Sequence, residues 1–412
     1  MNVRVILFAS LLFLVASCQE SALEQYYNQE GNFSGSVYDA IDSTGTFSSF
    51  ILGVDSTGFA NQLRNTLVTV IAPSDAAFSE YLSKHGYNSI ADIPKATLED
   101  IIGQHIITWP HSPTAFELDP LYFKRQSNMA QRTVTKFDPI LQEDMTIVSE
   151  AKYLQFYFPE MLEYYKATEA DYELLSGTSL SPQNKYNIYD VQVDSIVPYG
   201  NGWVYYVNKV IEPVENLDDW LLASSEYEMF NKLFNRYNIY YTDNNVSTST
   251  DVKRSNFYQN NRTYRLDMEL CFETVGYIRV GDSYISLKAS SGYTVLAPKD
   301  DVLEDFIDTY FADYPGFKES LYTVTKTDIE GLHIHNIIRN IMTPYLYVSQ
   351  AYFPSNFSSE DGVNALDGTN LKLTSSDFSE YKLCSNGYGY GLNTFVVPRT
   401  FKSILKPAFT TS

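Results

Sequence analysis

The chain is 412 residues long and 44% hydrophobic, enough apolar material for two cores of ordinary domain size. Its net charge of −21 repels phosphate backbones and anionic head groups, which excludes nucleic acid as a partner class. Charged residues are sparse at 19% while 34 tyrosines help lift the aromatic share to 15%, a balance that suits a wet surface where amphipathic rings can be buried or can bind.

At the N-terminus, Arg4 precedes an apolar run from Val5 to Val15 that only Ser10 interrupts. At ~1.5 Å per residue this run spans roughly 16 Å, short of a hydrocarbon core of about 30 Å, so residues 1–17 read as a secretion signal. Ala16 and Ser17 are small, and Val15-Ala-Ser-Cys18 resembles the lipobox of bacterial lipoproteins. That resemblance implies lipidation of Cys18, which would become the first residue of the mature chain. Several acyl chains, at about 0.8 kcal/mol per buried methylene, hold a protein on a bilayer where one myristoyl chain does not. A cleaved signal that merely contains a cysteine is the alternative. Gln19 stands where an inner-membrane retention signal would carry Asp, so the expected location is the outer membrane, with the face left open. Residues 18–35 are polar and aperiodic and read as a tether.

Residues 36–213 form the first predicted unit. Val37, Ala40 and Ile41 share a helical face. Val68 to Pro73 is a β-branched run closed by Ala-Pro, and Asp75 then falls in the first turn of a helix, where a carboxylate favours the positive dipole end. Leu98, Ile101, Ile102 and His105 share another helical face. Residues 108–200 hold Pro-rich turns, a helix-like aromatic run from Tyr153 to Tyr172, and a strand-like alternation at Val191, Val193 and Ile196. The unit closes with a β-rich run, Trp203 to Ile211, stopped by Pro213.

Residues 214–400 form a second unit that starts without a long linker, so the two are expected to pack against one another. Its insertion, about residues 238–291, opens with a polar loop and continues as alternating segments, with Gly281-Asp282 as a hairpin turn. Tyr388 and Tyr390 alternate in the final run and would project from one strand face. Residues 401–412 are a short tail.

The two units repeat each other. Val68-Thr-Val-Ile-Ala-Pro-Ser-Asp75 matches Tyr293-Thr-Val-Leu-Ala-Pro-Lys-Asp300, and Leu98 to Ile107 matches Ile329 to Ile338. Val37, Ile41, Phe47 and Phe50 match Leu217, Leu221, Tyr227 and Phe230, and Gly202 to Pro213 matches Gly387 to Pro398. The spacers differ in length while the motifs keep their order.

These residues resemble the fasciclin domain family. Thr69 to Phe78 fits its strand-turn-helix signature closely and Thr294 to Leu303 loosely. Gln104 stands where the family has tyrosine before His105, His335-Asn336 occupies the same place in the second half, and Asn208 and Asn393 replace the usual closing Asp. The resemblance implies an α+β fold, a tandem of compact β-sandwich-like cores wrapped by helices. It also implies extracellular adhesion or ligand binding, with no catalytic centre and no cofactor.

The chain's reactive groups support the same expectation. Ser403 and Lys406 have the Ser-x-x-Lys spacing but no companion motif. His333 and His335 diverge on a helix or a strand and form no metal pair alone, and their ordinary reading, like that of His105, is a ring bonded to backbone. Asp243 to Asp251 lacks the Gly and terminal Glu of a calcium loop. Cys271 and Cys384 could form a disulfide in an oxidising compartment or remain two buried thiols. Trp203 and Trp220 sit at motif positions and read as packing residues. Trp109, Tyr388 and Tyr390 are the candidates for stacking against a ligand such as a sugar, with burial in the core as the alternative for the tyrosines. Three functions follow. The first is a membrane-anchored module for adhesion or protein interaction. The second is a glycan-binding lipoprotein accessory to an outer-membrane nutrient transporter. The third, a hydrolase, lacks a converging nucleophile and base.

Overall fold

The computed structural model describes residues 35–118, 125–138, 143–237, 277–280, 283–286, 293–312, 318, 321, 333–348, 351–365 and 367–402. Cys18, Cys271, the loop 243–251, the turn at Gly281-Asp282, Ser403 and Lys406 lie outside these residues.

The first unit opens with three short helices, α1 (Val37–Ser43), α2 (Ser48–Thr57) and α3 (Ala60–Asn65). Ser36 starts α1 with a reciprocal cap, its side chain accepting Asp39 N–H at 3.2 Å. Strand β1 (Val68–Pro73) then feeds α4 (Asp75–His85), whose N-terminus Ser74 caps at 3.2 Å. Helix α5 (Lys95–Gln104), strand β2 (Ile106–Thr108) and helix α6 (Pro113–Leu118) follow. Next come two long strands, β3 (Arg125–Asp138) and β4 (Glu143–Tyr157), helices α7 (Pro159–Tyr164) and α8 (Glu169–Ser176), and strands β5 (Asn187–Ile188), β6 (Val191–Tyr199) and β7 (Gly202–Val207).

Strands β1 to β7 close into a barrel, joined where β1 runs parallel to β7 from Val68↔Gly202 to Pro73↔Val207. One face of this sheet, Val68, Val70, Ala72, Ile106 and Val204, packs under α1, α2, α4 and α5 through Val37, Ile41, Phe50, Phe78, Leu98, Ile101 and Ile102. The other face, including Ile71, Ile107 and Tyr205, packs with Phe116, Leu154 and Phe156. Gly202 is required by this closure, because a Cβ there would lie 1.9 Å from the Val68 carbonyl oxygen.

Two expectations need correction. The aromatic run 153–172 is not one helix: Tyr153 to Tyr157 end β4, and Pro159 starts a new helix at its first position, where the missing N–H costs nothing. The closing strand stops at Val207, and residues 208–216 form the connector to the second unit.

The second unit begins with α9 (Leu217–Ala223) and α10 (Glu228–Tyr237), and β8 (Tyr277–Val280) pairs antiparallel with β9 (Ser283–Ser286) in a separate two-stranded sheet. It continues with β10 (Tyr293–Pro298), α11 (Asp300–Tyr310), α12 (His333–Met342) and β11 (Leu346–Val348). Helix α13 (Pro354–Ser358), the paired β12 (Val363–Asn364) and β13 (Asn370–Leu371), and strands β14 (Phe378–Cys384) and β15 (Gly387–Leu392) complete it. The main sheet has the order β11-β10-β15-β14, and β10 runs parallel to β15 from Tyr293↔Gly387 to Pro298↔Leu392.

The repeat read from the sequence recurs as a repeat of contacts, with one pairing corrected: Ile106 and Ile107, opposite Val70 and Thr69, correspond to Leu346 and Tyr347, opposite Val295 and Thr294, whereas Ile337 and Ile338 lie within α12. Asp75 Oδ1 accepts Ser49 N–H at 2.7 Å and Asp300 Oδ1 accepts Met229 N–H at 2.8 Å, each carboxylate thereby serving an earlier helix rather than only its own. Asn201 Oδ1 accepts Val37 N–H at 2.8 Å, and Asn386 Oδ1 accepts Leu217 N–H at 3.0 Å. Side-chain volumes are exchanged across the repeat. Where the first unit packs Phe47 on Tyr206 at 4.8 Å, the second places Tyr227 against Gly391, whose Cβ would lie 1.9 Å from the tyrosine oxygen. Trp220 likewise lies over Gly389.

The units share one apolar core that runs from Phe156 and Tyr157 to Phe353 and Tyr388. Tyr157 OH donates to Tyr388 OH at 3.2 Å, Gln155 Nε2 donates to the same oxygen, and Phe353 packs on Tyr388 at 5.0 Å. At its edge Ser355 N–H donates to Asp171 Oδ1 at 2.8 Å, and Asn356 Nδ2 donates to the Tyr165 carbonyl at 3.0 Å.

Candidate functional site

Of the three stacking candidates, only Trp109 faces solvent, with 66% of its surface exposed. Tyr388 and Tyr390 are fully buried, which corrects the expectation of an aromatic platform on the closing strand. Tyr388 joins the two units, and Tyr390 OH donates to the Tyr352 carbonyl at 2.7 Å. Their alternation does put both rings on one strand face, but that face is core. Trp203 and Trp220 are buried as packing residues, and Trp220 Nε1 also reaches Glu380 Oε2 at 3.3 Å.

Trp109 is exposed from an unusual backbone conformation. Its φ of +82° lies in a region that bulky L-residues avoid, at a cost of roughly 1–3 kcal/mol. Three bonds hold it there. Trp109 N–H donates to the Leu67 carbonyl at 3.0 Å, its own carbonyl accepts Thr69 Oγ1 at 2.9 Å, and Thr69 Oγ1 accepts His111 N–H at 2.7 Å. Tyr205 OH then donates to the His111 carbonyl at 3.0 Å, tying the segment to β7. Leu67, whose carbonyl meets Trp109, is itself 52% exposed, so the site is an apolar edge at the start of β1. The second unit repeats the clamp, Thr294 Oγ1 accepting Tyr352 N–H at 3.1 Å while Tyr390 holds the Tyr352 carbonyl. Leu67, Thr69 and Tyr205 were not singled out from sequence. The one signal for them was the Thr common to both Thr-Val motifs.

His105 and His111 are buried structural residues. His105 is fully buried, its Nδ1–H donating to the Ile101 carbonyl at 2.8 Å and its Nε2 accepting Ile211 N–H at 3.0 Å, which makes it the neutral Nδ1 tautomer. Burial pushes its pKa down to about 4, and burial does the same to His111. Beside His105, Gln104 Nε2 donates to the Glu212 carbonyl at 3.1 Å, so both residues of this dipeptide grip the connector. The Glu212 carboxylate meets Lys84 at 2.6 Å and His85 at 2.9 Å. Burial would raise its pKa, but these two partners hold it below the usual value. His333 and His335 start α12.

Cys384 is buried, and its proposed partner Cys271 lies outside the described residues. Among the described residues no cluster of His, Cys, Asp and Glu is arranged to hold a metal, and no helix is long and apolar enough to cross a membrane. What the Trp109 edge can do is stack and exclude water.

Residues 45–147 match the family model of the fasciclin domain. No curated protein matches the chain in sequence. Among solved structures, a FAS1 domain pair from the insect cell adhesion molecule fasciclin I aligns with 87% of this chain and 99% of that one, at 13% identity and a TM-score of 0.23. So loose a superposition says nothing about how the two units are arranged.

Proposed function

We propose a lipid-tethered recognition protein that binds through the Trp109 edge, a reading supported by the match of residues 45–147 to the fasciclin domain, a type associated with cell adhesion and protein interaction. Lipidation at Cys18 would hold it to the outer membrane, with residues 18–35 as the tether. The observation that carries this reading is Trp109 itself: an exposed indole kept in a costly backbone conformation by Thr69 supports a role in binding rather than in folding. A flat indole suits either a protein side chain or a sugar ring, and its ability to stack on a pyranose face favours, as the second reading, a glycan-binding accessory to an outer-membrane nutrient transporter.

Two measurements test the proposal. Trp109→Ala should abolish saturable retention on matrix-protein or polysaccharide affinity supports while leaving the melting temperature unchanged, and undiminished retention would refute the edge as the binding site. Cys18→Ser should move the protein from the membrane fraction to the soluble one; firm attachment of that variant would remove the lipid anchor.

A further inference from the structure

Strands β3 and β4 are 14 and 15 residues long, whereas β1 and β7 have six each. The barrel uses only their base. Strand β2 touches β3 at Ile107↔Asn128, and β5 touches β4 at Phe156↔Ile188 and Tyr157↔Asn187. Helix α5 covers the same base. Gly103 lies against the Met129 and Ala130 backbone, where a Cβ would come within 2.9 Å, and Asp100 pairs with Lys152 at 2.6 Å. Past that point, from Gln131↔Ala151 to Asp138↔Glu143, the two strands pair only with each other among the described residues. At about 3.3 Å per residue, the stretch from Gln131 to Asp138 carries the ribbon roughly 25 Å along its strands.

Among the described residues such an arm leaves both outer edges without a strand partner, a template for adding another strand, and a lone two-stranded ribbon is marginal in water. Its sequence is polarised. Strand β3 carries Arg125, Arg132 and Lys136 against one acid, Asp138, while β4 carries Glu143, Asp144 and Glu150 against one base, Lys152. Within the arm the register sets Arg132 opposite Glu150. Pairing β3 with the β3 of another molecule sets basic strand against basic strand, and β4 with β4 sets acidic against acidic. Pairing β3 with the neighbour's β4 continues the antiparallel ladder with opposite charges facing.

We propose that the arm is a self-association element, in which the free edge of β3 takes up β4 of a second copy of this chain. The contact is head to tail, because different strands meet, so it can propagate along a row of copies instead of closing as a symmetric dimer. A row of lipid-tethered copies would present many Trp109 edges together, but the pairing does not depend on that reading.

The test mixes unlabelled and nitrogen-15-labelled full chain in detergent and applies a zero-length carbodiimide. Linked peptides joining Lys136 to Glu143 or Asp144 should include species with one light and one heavy partner, which only a contact between molecules can produce. Sedimentation of the same sample should show oligomers, and replacing residues 133–148 by an Asn-Gly turn should return them to monomer. If all Lys136 links are wholly light or wholly heavy, the proposal is overturned, whatever the shortened variant does. Oligomers that persist without the arm, or a monomeric chain whose arm instead captures a different polypeptide, overturn it equally. Binding at Trp109 is read separately by affinity retention, so the failure of one proposal leaves the other standing.

Discussion

Ile211 donates its backbone N–H to Nε2 of His105 at 3.0 Å across 106 residues of sequence, fastening the exit of the first unit to the end of α5. The bond requires a neutral ring, since a proton on Nε2 would face the amide hydrogen. The folded pKa of about 4 lies below the unfolded value near 6.5, so between these values the unfolded chain binds more protons. The stabilisation is therefore complete above pH 6.5 and is lost as pH falls toward 4, by on the order of 3 kcal/mol for His105. Denaturant melts across this window should show the loss, and His105→Gln should flatten the slope to what His111 and the carboxylates leave.

The shared aspartates give a paired prediction. Asp75 and Asp300 each receive a backbone N–H from the start of an earlier helix, and Ser48 Oγ adds a bond to Asp75 at 2.7 Å. Although burial raises the Asp75 pKa, its serine bonds outweigh that and hold it low, whereas burial prevails at Asp300 and holds it high. Asp75→Ala should cost about 1–2 kcal/mol, the worth of a lost cap, and Asp300→Ala less, since its charged form is less favoured. Chemical denaturation of the two variants checks the order.

The closing glycines admit no side chain. A Cβ at Gly202 would meet the Val68 carbonyl oxygen at 1.9 Å, and one at Gly387 would meet that of Tyr293 at 2.1 Å. Either alanine variant must push apart the parallel strand pair at the centre of its unit, at a cost of more than about 3 kcal/mol. A large fall in melting temperature, or insoluble expression, is the expected outcome.

Trp109 should show stability and binding moving in opposite directions. Trp109→Gly accepts the positive φ without strain and keeps all three backbone bonds, so it should raise stability by up to about 1 kcal/mol while removing ligand retention. The greater chain entropy of glycine when unfolded opposes part of this gain. A calorimetric melt beside an affinity measurement separates the two effects.

Much of the core was legible as pattern. Val37 and Ile41, and Leu98, Ile101, Ile102 and His105, are buried as their helical spacing predicts, because a 3.6-residue period places them on one side of a rigid rod. The reading failed at Tyr388 and Tyr390. Alternation says that two rings share a face, but whether that face meets water depends on what covers it, here β4 and the segment around Phe353. Trp109 was equally open in the sequence; the structure shows it exposed at a positive φ, with its carbonyl bonded by Thr69 of β1.

Local pattern laid out most of the repeated order of elements and the motifs that build each unit, since strand, turn and helix signals act over a few residues and recur wherever the same local chemistry does. Long-range packing, by contrast, closes β1 to β7 into a ring, places Asp75 and Asp300 against helices far behind them, and supplies the bulk lost at Gly389 and Gly391 from Trp220 and Tyr227. Those outcomes depend on which distant surfaces meet, and packing conserves the summed volume at a contact rather than the residue at either side.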